Sequence, residues 1–181
     1  MDVQKRTELN KGIFVLQKWV QRLSVILLEG IILLFVFFVW LRPFRVSGDS
    51  MSPELNEGEI ILIDRFKKYF SIPERGDLVS FSDENGVFIK RIVGLPGETV
   101  EVIGGTVYID GYPLIETQYA NHLTGDAAAV QVPEGSLYLL GDNRSEMYDS
   151  RMEEIGCRSL SDIGGVVRFR IFPANQLTVF K

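Results

Sequence analysis

The sequence predicts a mainly β protein carried on one N-terminal transmembrane helix. Two observations carry that expectation. A single apolar run, Leu23–Leu41, has the length and uniformity of a membrane span. Beyond Arg45 the chain breaks into short runs rich in Val, Ile, Phe and Tyr, punctuated by Gly, Pro, Asn and Asp, with no sustained helical period. Runs of that composition and spacing read as antiparallel strands joined by tight turns.

Residues 1–22 come first, and there Lys5, Arg6, Lys11, Lys18 and Arg22 outnumber Asp2 and Glu8. The span itself, 23–41, holds 19 residues and one charge, Glu29. At about 1.5 Å of rise per residue it reaches roughly 28 Å, close to the hydrocarbon thickness of a bilayer. The basic excess ahead of the span predicts a cytoplasmic N-terminus and an extracytoplasmic domain over residues 42–181. A cleaved export signal would have a shorter apolar core and a small-x-small cut site, and Trp40-Leu41-Arg42-Pro43-Phe44 offers none. A buried core helix would keep a polar face, whereas Ile31–Leu41 is apolar all round. A carboxylate at the centre of a span costs on the order of 2.5–3.5 kcal/mol. Glu29 lies about a third of the way in and reads as a charge tolerated near the inner face, with protonation or a partner helix as the other readings.

The strand candidates follow in order: Glu59–Asp64, Asp77–Ser82, Val87–Val93, Val100–Ile103, Thr106–Ile109, Leu137–Leu140, Gly165–Ile171 and Leu177–Val179. Glu84-Asn85-Gly86, Gly104-Gly105 and Asp110-Gly111 read as hairpin turns. Short helical turns are expected at most at Ser52–Asn56 and Leu160–Ile163. Apolar Ile60–Ile63, Phe66, Tyr69 and Phe70 read either as core or as a lipid contact.

Composition removes several function classes. With 46% hydrophobic residues and a net charge of −5 the chain is not disordered. Its one basic cluster is short and N-terminal, so nucleic acid is not an expected partner. The single cysteine, Cys157, makes no internal disulfide and reads as a small hydrophobe in a packed site. The single histidine, His122, reads as a solvated loop residue, and a zinc site of several His and Cys is excluded by count.

Three stretches carry chemistry. In Ser47-Gly48-Asp49-Ser50-Met51-Ser52-Pro53, a glycine-containing turn and a proline flank Ser50 and present its hydroxyl at a bend. In Val87-Phe88-Ile89-Lys90-Arg91-Ile92, strand alternation sets Lys90 on one face with Phe88 and Ile92. An amine between two large apolar groups has its pKa lowered by lost hydration, and a neutral amine can take a proton from a hydroxyl. Read alone, with Arg91 beside it, that stretch reads better as a lysine on a solvated edge. In Gly141-Asp142-Asn143-Arg144 followed by Asp149-Ser150-Arg151, arginines near aspartates form paired forks, which is scaffolding for a site or a polar surface turn.

Taken together, in this order and after one span, the three stretches resemble the type I signal peptidases. The first resembles the family's nucleophile box. Ile89-Lys90-Arg91-Ile92-Val93-Gly94-Leu95-Pro96-Gly97 matches its lysine box, and the Gly141–Arg151 stretch its third box. Gly164–Arg170 resembles the closing strand. The resemblance implies an antiparallel β-rich catalytic domain of signal-peptidase type, in its compact Gram-positive form. It implies a Ser50/Lys90 dyad, no metal and no cofactor. Substrates would be signal-peptide-bearing precursor proteins with small side chains at the first and third residues before the cut. The lipid bilayer is an implied partner, and the secretion translocon is one that the resemblance admits.

Around the implied dyad, Gly48 and Met51 flank the nucleophile, and Asp142, Asn143, Arg144, Asp149, Ser150 and Arg151 shape the site. The chain departs from the family pattern at three positions. Glu54 stands where threonine is usual, Gly48 where some members have a serine that helps hold the oxyanion, and Met147 where the family has a serine that hydrogen-bonds the lysine. Those departures keep open a relative that binds exported peptides without cutting. A processing peptidase for conjugation or pilus proteins is a further alternative. Ser50 lies nine positions past Leu41, hence within roughly 30 Å of the end of the span at about 3.4 Å per residue.

Overall fold

The structure, a computed structural model, describes residues 3–71, 73–116 and 125–180. His122 lies outside the described residues. The chain divides into two compact units, Met1–Trp40 and Leu41–Lys181.

The first unit is one continuous helix, α1, Val3–Trp40. Its apolar part, Phe14–Trp40, is 27 residues long and begins well before Leu23. The extra turns are those where apolar residues alternate with Lys18 and Arg22. These cations lie over rings one turn back, Lys18 Nζ 4.4 Å from the Phe14 ring centre and Arg22 5.9 Å from that of Trp19. Such aromatic–cation pairs suit a membrane interface, where the ring is apolar and the charge reaches water. Helix α1 stops at Trp40 because Pro43 disfavours the helical conformation at Arg42 and brings no N–H of its own.

The second unit opens directly with a strand, β1, Leu41–Arg45. The sequence predicts Leu41 in the span and Arg42–Arg45 beyond it, whereas pairing with β2 draws all five residues into the sheet. The strand sits at an edge of the sheet, where the missing N–H of Pro43 is tolerated. The remaining strands are β2 Ile60–Asp64, β3 Leu78–Asp83, β4 Gly86–Gly94, β5 Thr99–Ile103, β6 Thr106–Ile109, β7 Tyr112–Pro113, β8 Ala127–Gln131, β9 Ser136–Leu140, β10 Arg158–Ser159, β11 Ile163–Phe172 and β12 Thr178–Val179. Among the described residues they form two antiparallel sheets. The larger runs β1-β2-β11-β3-β4-β9-β10, with β12 also on β11, and the smaller runs β7-β6-β5-β8. The expected hairpins are present. Gly104 and Gly105 turn β5 into β6 with φ of 56° and 81°, the left-handed pair that a two-residue hairpin requires.

Three apolar clusters fill the unit. One, with Val46, Met51, Leu55, Ile61, Ile63 and Ile89, lies under the first loop. A second, with Val79, Phe81, Ile92, Leu139 and Val166, backs the middle of the large sheet. The third joins the sheets, Val93, Tyr138 and Leu140 of the large one meeting Val100, Val102 and Val107 of the small one. Cys157 is half-buried against this third cluster, as a small hydrophobe would be. Ile61 and Ile63 are core, whereas Tyr69 and Phe70 are exposed. They belong to a single turn, α2, Lys67–Phe70, capped by Asp64 Oδ1, which accepts from Phe66 N at 2.9 Å and Lys67 N at 3.0 Å.

Candidate active site

Ser50 lies in the loop between β1 and β2. Gly48 takes φ 79° there, in the left-handed region open to glycine at no steric cost. Past Ser50 the chain bends tightly, Ser52 N donating to Asp49 O at 2.9 Å and Leu55 N to Met51 O at 2.8 Å. Met51 is buried in the first cluster and holds the bend from below. Arg170 of β11 holds it from the far side, donating to Glu54 O at 2.8 Å and Glu59 Oε2 at 3.1 Å. Among the described residues neither the Ser50 hydroxyl nor its N–H meets a hydrogen-bond partner. The bend thus presents two uncommitted polar groups.

Lys90 is in the middle of β4, opposite Val79 of β3. Only 1% of it is exposed. Burial pushes its pKa down; the charge of Arg151 acts in the same sense, while Asp149, Glu146 and Asp142 oppose it. The two buried carboxylates near it are already committed to arginines. Asp142 receives a fork from Arg91, Nε to Oδ1 at 2.7 Å and a terminal nitrogen to Oδ2 at 2.6 Å. Asp149 accepts from Arg151 Nε at 2.8 Å and from its terminal nitrogen at 2.7 Å, and also from Gly141 N at 3.1 Å. Lys90 has no ion pair among the described residues. An ammonium stripped of water without a countercharge is disfavoured, so the geometry favours the neutral amine.

Serine loop and lysine meet at Gly141. A methyl group placed on Gly141 would lie 2.6 Å from the Ser50 carbonyl oxygen and 3.4 Å from Lys90 Nζ. Asn143 N donates to that same carbonyl at 3.0 Å. The turn after β9 is therefore the piece that both partners touch, and it is heavily stapled. Arg144, 2% exposed, donates Nε to Gly141 O at 2.8 Å and forks onto Glu116, with one bond of 2.6 Å. Arg151 donates to Arg144 O at 2.8 Å and also to Glu146 O. Ser150 closes the edge of β9, its N donating to Leu139 O at 3.0 Å and its Oγ accepting from Leu139 N at 2.9 Å. Burial raises the pKa of Asp142 despite the fork from Arg91, so desolvation outweighs the pairing there.

The candidate site residues Gly48, Ser50, Met51, Lys90, Asp142, Asn143, Arg144, Asp149, Ser150 and Arg151 fall in this one neighbourhood. Gly48, Ser50 and Met51 border a cleft of about 240 Å³ together with Phe44, Val46 and Ile89. Met147 is partly exposed and its thioether lies against Gly125, 3.4 Å from where a methyl group on that glycine would be. Sequence reasoning missed Glu116, a lone acid in a polar stretch with no local signal. It also missed the cleft wall of Phe44 and Val46, although their two-residue spacing just ahead of Ser50 is a strand signal. The sequence marks Gly141 only as part of a turn; the structure makes it the point where the Ser50 carbonyl and Lys90 Nζ approach.

Residues 16–172 match the family model described as "Signal peptidase, peptidase S26". A signal peptidase I of Bacillus licheniformis is 33% identical, the match covering 98% of each chain. Signal peptidase I S of Bacillus subtilis (strain 168) is 34% identical over 75% of this chain and 79% of its own. A solved signal peptidase I from Enterococcus faecalis V583 is 34% identical with a TM-score of 0.47, covering 53% of this chain and 97% of that one. The family and the N-terminal apolar helix together mark a membrane-anchored protein. A family model spanning most of the chain, and a relative this similar over nearly all of it, establish that this chain belongs to the signal peptidase family, peptidase S26.

Proposed function

We propose that the protein is a membrane-anchored serine endopeptidase that removes signal peptides from exported proteins, with Ser50 as nucleophile and neutral Lys90 as its general base. The observation that carries this is the convergence at Gly141 of an uncommitted serine loop and a buried, unpaired lysine. Lys90 takes the proton from Ser50 Oγ as the oxygen attacks the scissile carbonyl. The tetrahedral oxyanion accepts from the free Ser50 N–H. Because residue 48 is glycine and brings no hydroxyl, backbone donors carry this role. Lys90 then returns the proton to the departing amine, leaving an acyl group on Ser50. In the second half Lys90 deprotonates water, which attacks the acyl carbonyl; the acyl–Oγ bond breaks and Lys90 returns the proton to Ser50 Oγ. Asp142, Asn143, Arg144, Asp149, Ser150 and Arg151 hold the turn that keeps the pair together. The cleft beside Ser50, with Val46 and Ile89 in its wall, suits a small side chain ahead of the cut.

The basic excess at the N-terminus supports a cytoplasmic N-terminus with the catalytic domain outside. Its substrates are signal-peptide-bearing precursors that span the same bilayer, a setting compatible with delivery by the secretion translocon. The short tether from the span to Ser50 confines enzyme and substrate to one plane and so raises their encounter rate.

The test is cleavage of a signal-bearing precursor by the full chain in detergent. Wild type yields the shortened product. Lys90→Ala lowers the rate by about 10²–10⁴-fold, the usual worth of a general base, and Ser50→Ala yields none. Full activity in Ser50→Ala would overturn the assignment, and an inert wild type would favour a relative that binds exported peptides without cutting.

A further inference from the structure

Tyr148 sits in the stapled turn next to Asp149, and the chemistry above gives it no task. Its hydroxyl donates to Asp83 Oδ2 at 2.8 Å and accepts from Asn85 Nδ2 at 2.8 Å. Asp83 is further engaged, Oδ1 accepting from Asn85 N at 2.7 Å and Oδ2 lying 3.7 Å from Arg158. Below the hydroxyl, the Tyr148 ring lies on Phe88 with centres 4.7 Å apart, and Phe88 stacks on Phe81 at 5.5 Å. Asp83 ends β3, Phe88 belongs to β4, and Asn85 is in the turn between these strands. A single phenol therefore grips the tip of one hairpin from the turn that surrounds the lysine.

That hairpin forms one wall of the Ser50 cleft. Asn85, Val87, Phe88 and Ile89 all border it. Glu84, Asn85 and Gly86 are exposed, and exposed hairpin tips are the parts of a sheet that open most readily. A cleft selects against an extra methylene by on the order of 10–200-fold only if its wall does not yield. The loop 141–151 offers a braced neighbour, because Arg144 and Arg151 tie it down from within.

We infer that Tyr148 is a positioning residue for substrate selection. It clamps the β3–β4 hairpin to the turn carrying Asp149, so that the cleft wall and the surroundings of Lys90 are held as one body. The inference rests on the proteolytic reading. It does not require Tyr148 to touch substrate.

The experiment uses the full chain in detergent and two precursors that differ only in the residue before the cut, Ala or Val. Tyr148→Phe keeps the ring on Phe88 and removes both hydrogen bonds. The Ala precursor should be cut within about twofold of wild type, while the Ala-to-Val ratio of kcat/KM falls by about fivefold or more as the wall yields. Hydrogen exchange at the amides of residues 84–87 should quicken. Asp83→Ala should reproduce both effects, and the double variant should be no worse than either single one, as expected of groups acting through one contact. An unchanged ratio, a parallel loss on both precursors, or unaltered exchange would overturn the inference and leave the protease standing. If wild type cut neither precursor, the proteolytic reading would fall and take this inference with it.

Discussion

A methyl group at position 141 would press on the carbonyl of Ser50 and crowd the amine of Lys90. Because both atoms flank the same spot, Gly141→Ala must move one of them. A misplacement of about 1 Å can cost about 10²-fold in rate. We expect a loss of that order in kcat, with a fold still detectable by far-UV circular dichroism; unchanged kcat would show that the two partners yield without consequence. Lys90 itself is a burden on stability. Its pKa in the folded chain lies below the unfolded value of 10.5. Above pH 10.5 the amine is neutral in both states and costs nothing. Below the depressed folded value it is charged in both, and the folded state bears the full desolvation cost. Stability from this group therefore rises with pH across that window. Lys90→Met should melt higher than wild type at neutral pH, with the advantage shrinking towards pH 10.5, as thermal melts across pH would show. In wild type, kcat/KM should climb with pH as the amine loses its proton. At this scale the sequence singles out the proposed pair, Ser50 and Lys90, because their neighbours form long distinctive strings. Glu116 and Tyr148 were not, because their partners are 28 and more than 60 positions away and no local pattern encodes such a meeting.

At the scale of elements, the fork between Arg91 on β4 and Asp142 after β9 bridges neighbouring strands of the large sheet. The Asp142 side chain is fully buried. Arg91→Met would strand that carboxylate and should cost about 3–5 kcal/mol in urea titrations. Replacing both partners by apolar residues should restore most of that loss, since a well-packed apolar pair does without the desolvation cost. A double variant as unstable as the single one would show that the fork does more than neutralise a buried charge. The strands readable from sequence are those whose own residues favour sheet, such as Val87–Val93 and Gly165–Ile171. Strand β8, Ala127–Gln131, escaped because its three alanines carry little strand signal, and pairing with β5 defines it. The two-residue strands β7 and β10 exist only through their partners. Strand β1 was hidden by the hydrophobic run before it.

Across the whole molecule, the two units divide the work. Leu41–Lys181 contains all three apolar clusters described. A chain lacking residues 1–40 should fold and cut a short soluble peptide at a rate near that of the full chain. On precursors embedded in vesicles it should be slower by about 10²-fold or more, the worth of confinement by a tether. Equal rates on both substrates would show that the anchor does not serve encounter. The junction between the units has a mechanical consequence. Any pull on Trp40 enters the second unit at Leu41, along a strand zipped to β2 over five consecutive registers from Leu41↔Asp64 to Arg45↔Ile60. A pull directed along that strand would be shared as shear across the whole ladder. Tugs from a drifting bilayer are thus spent before reaching the bend that holds Ser50.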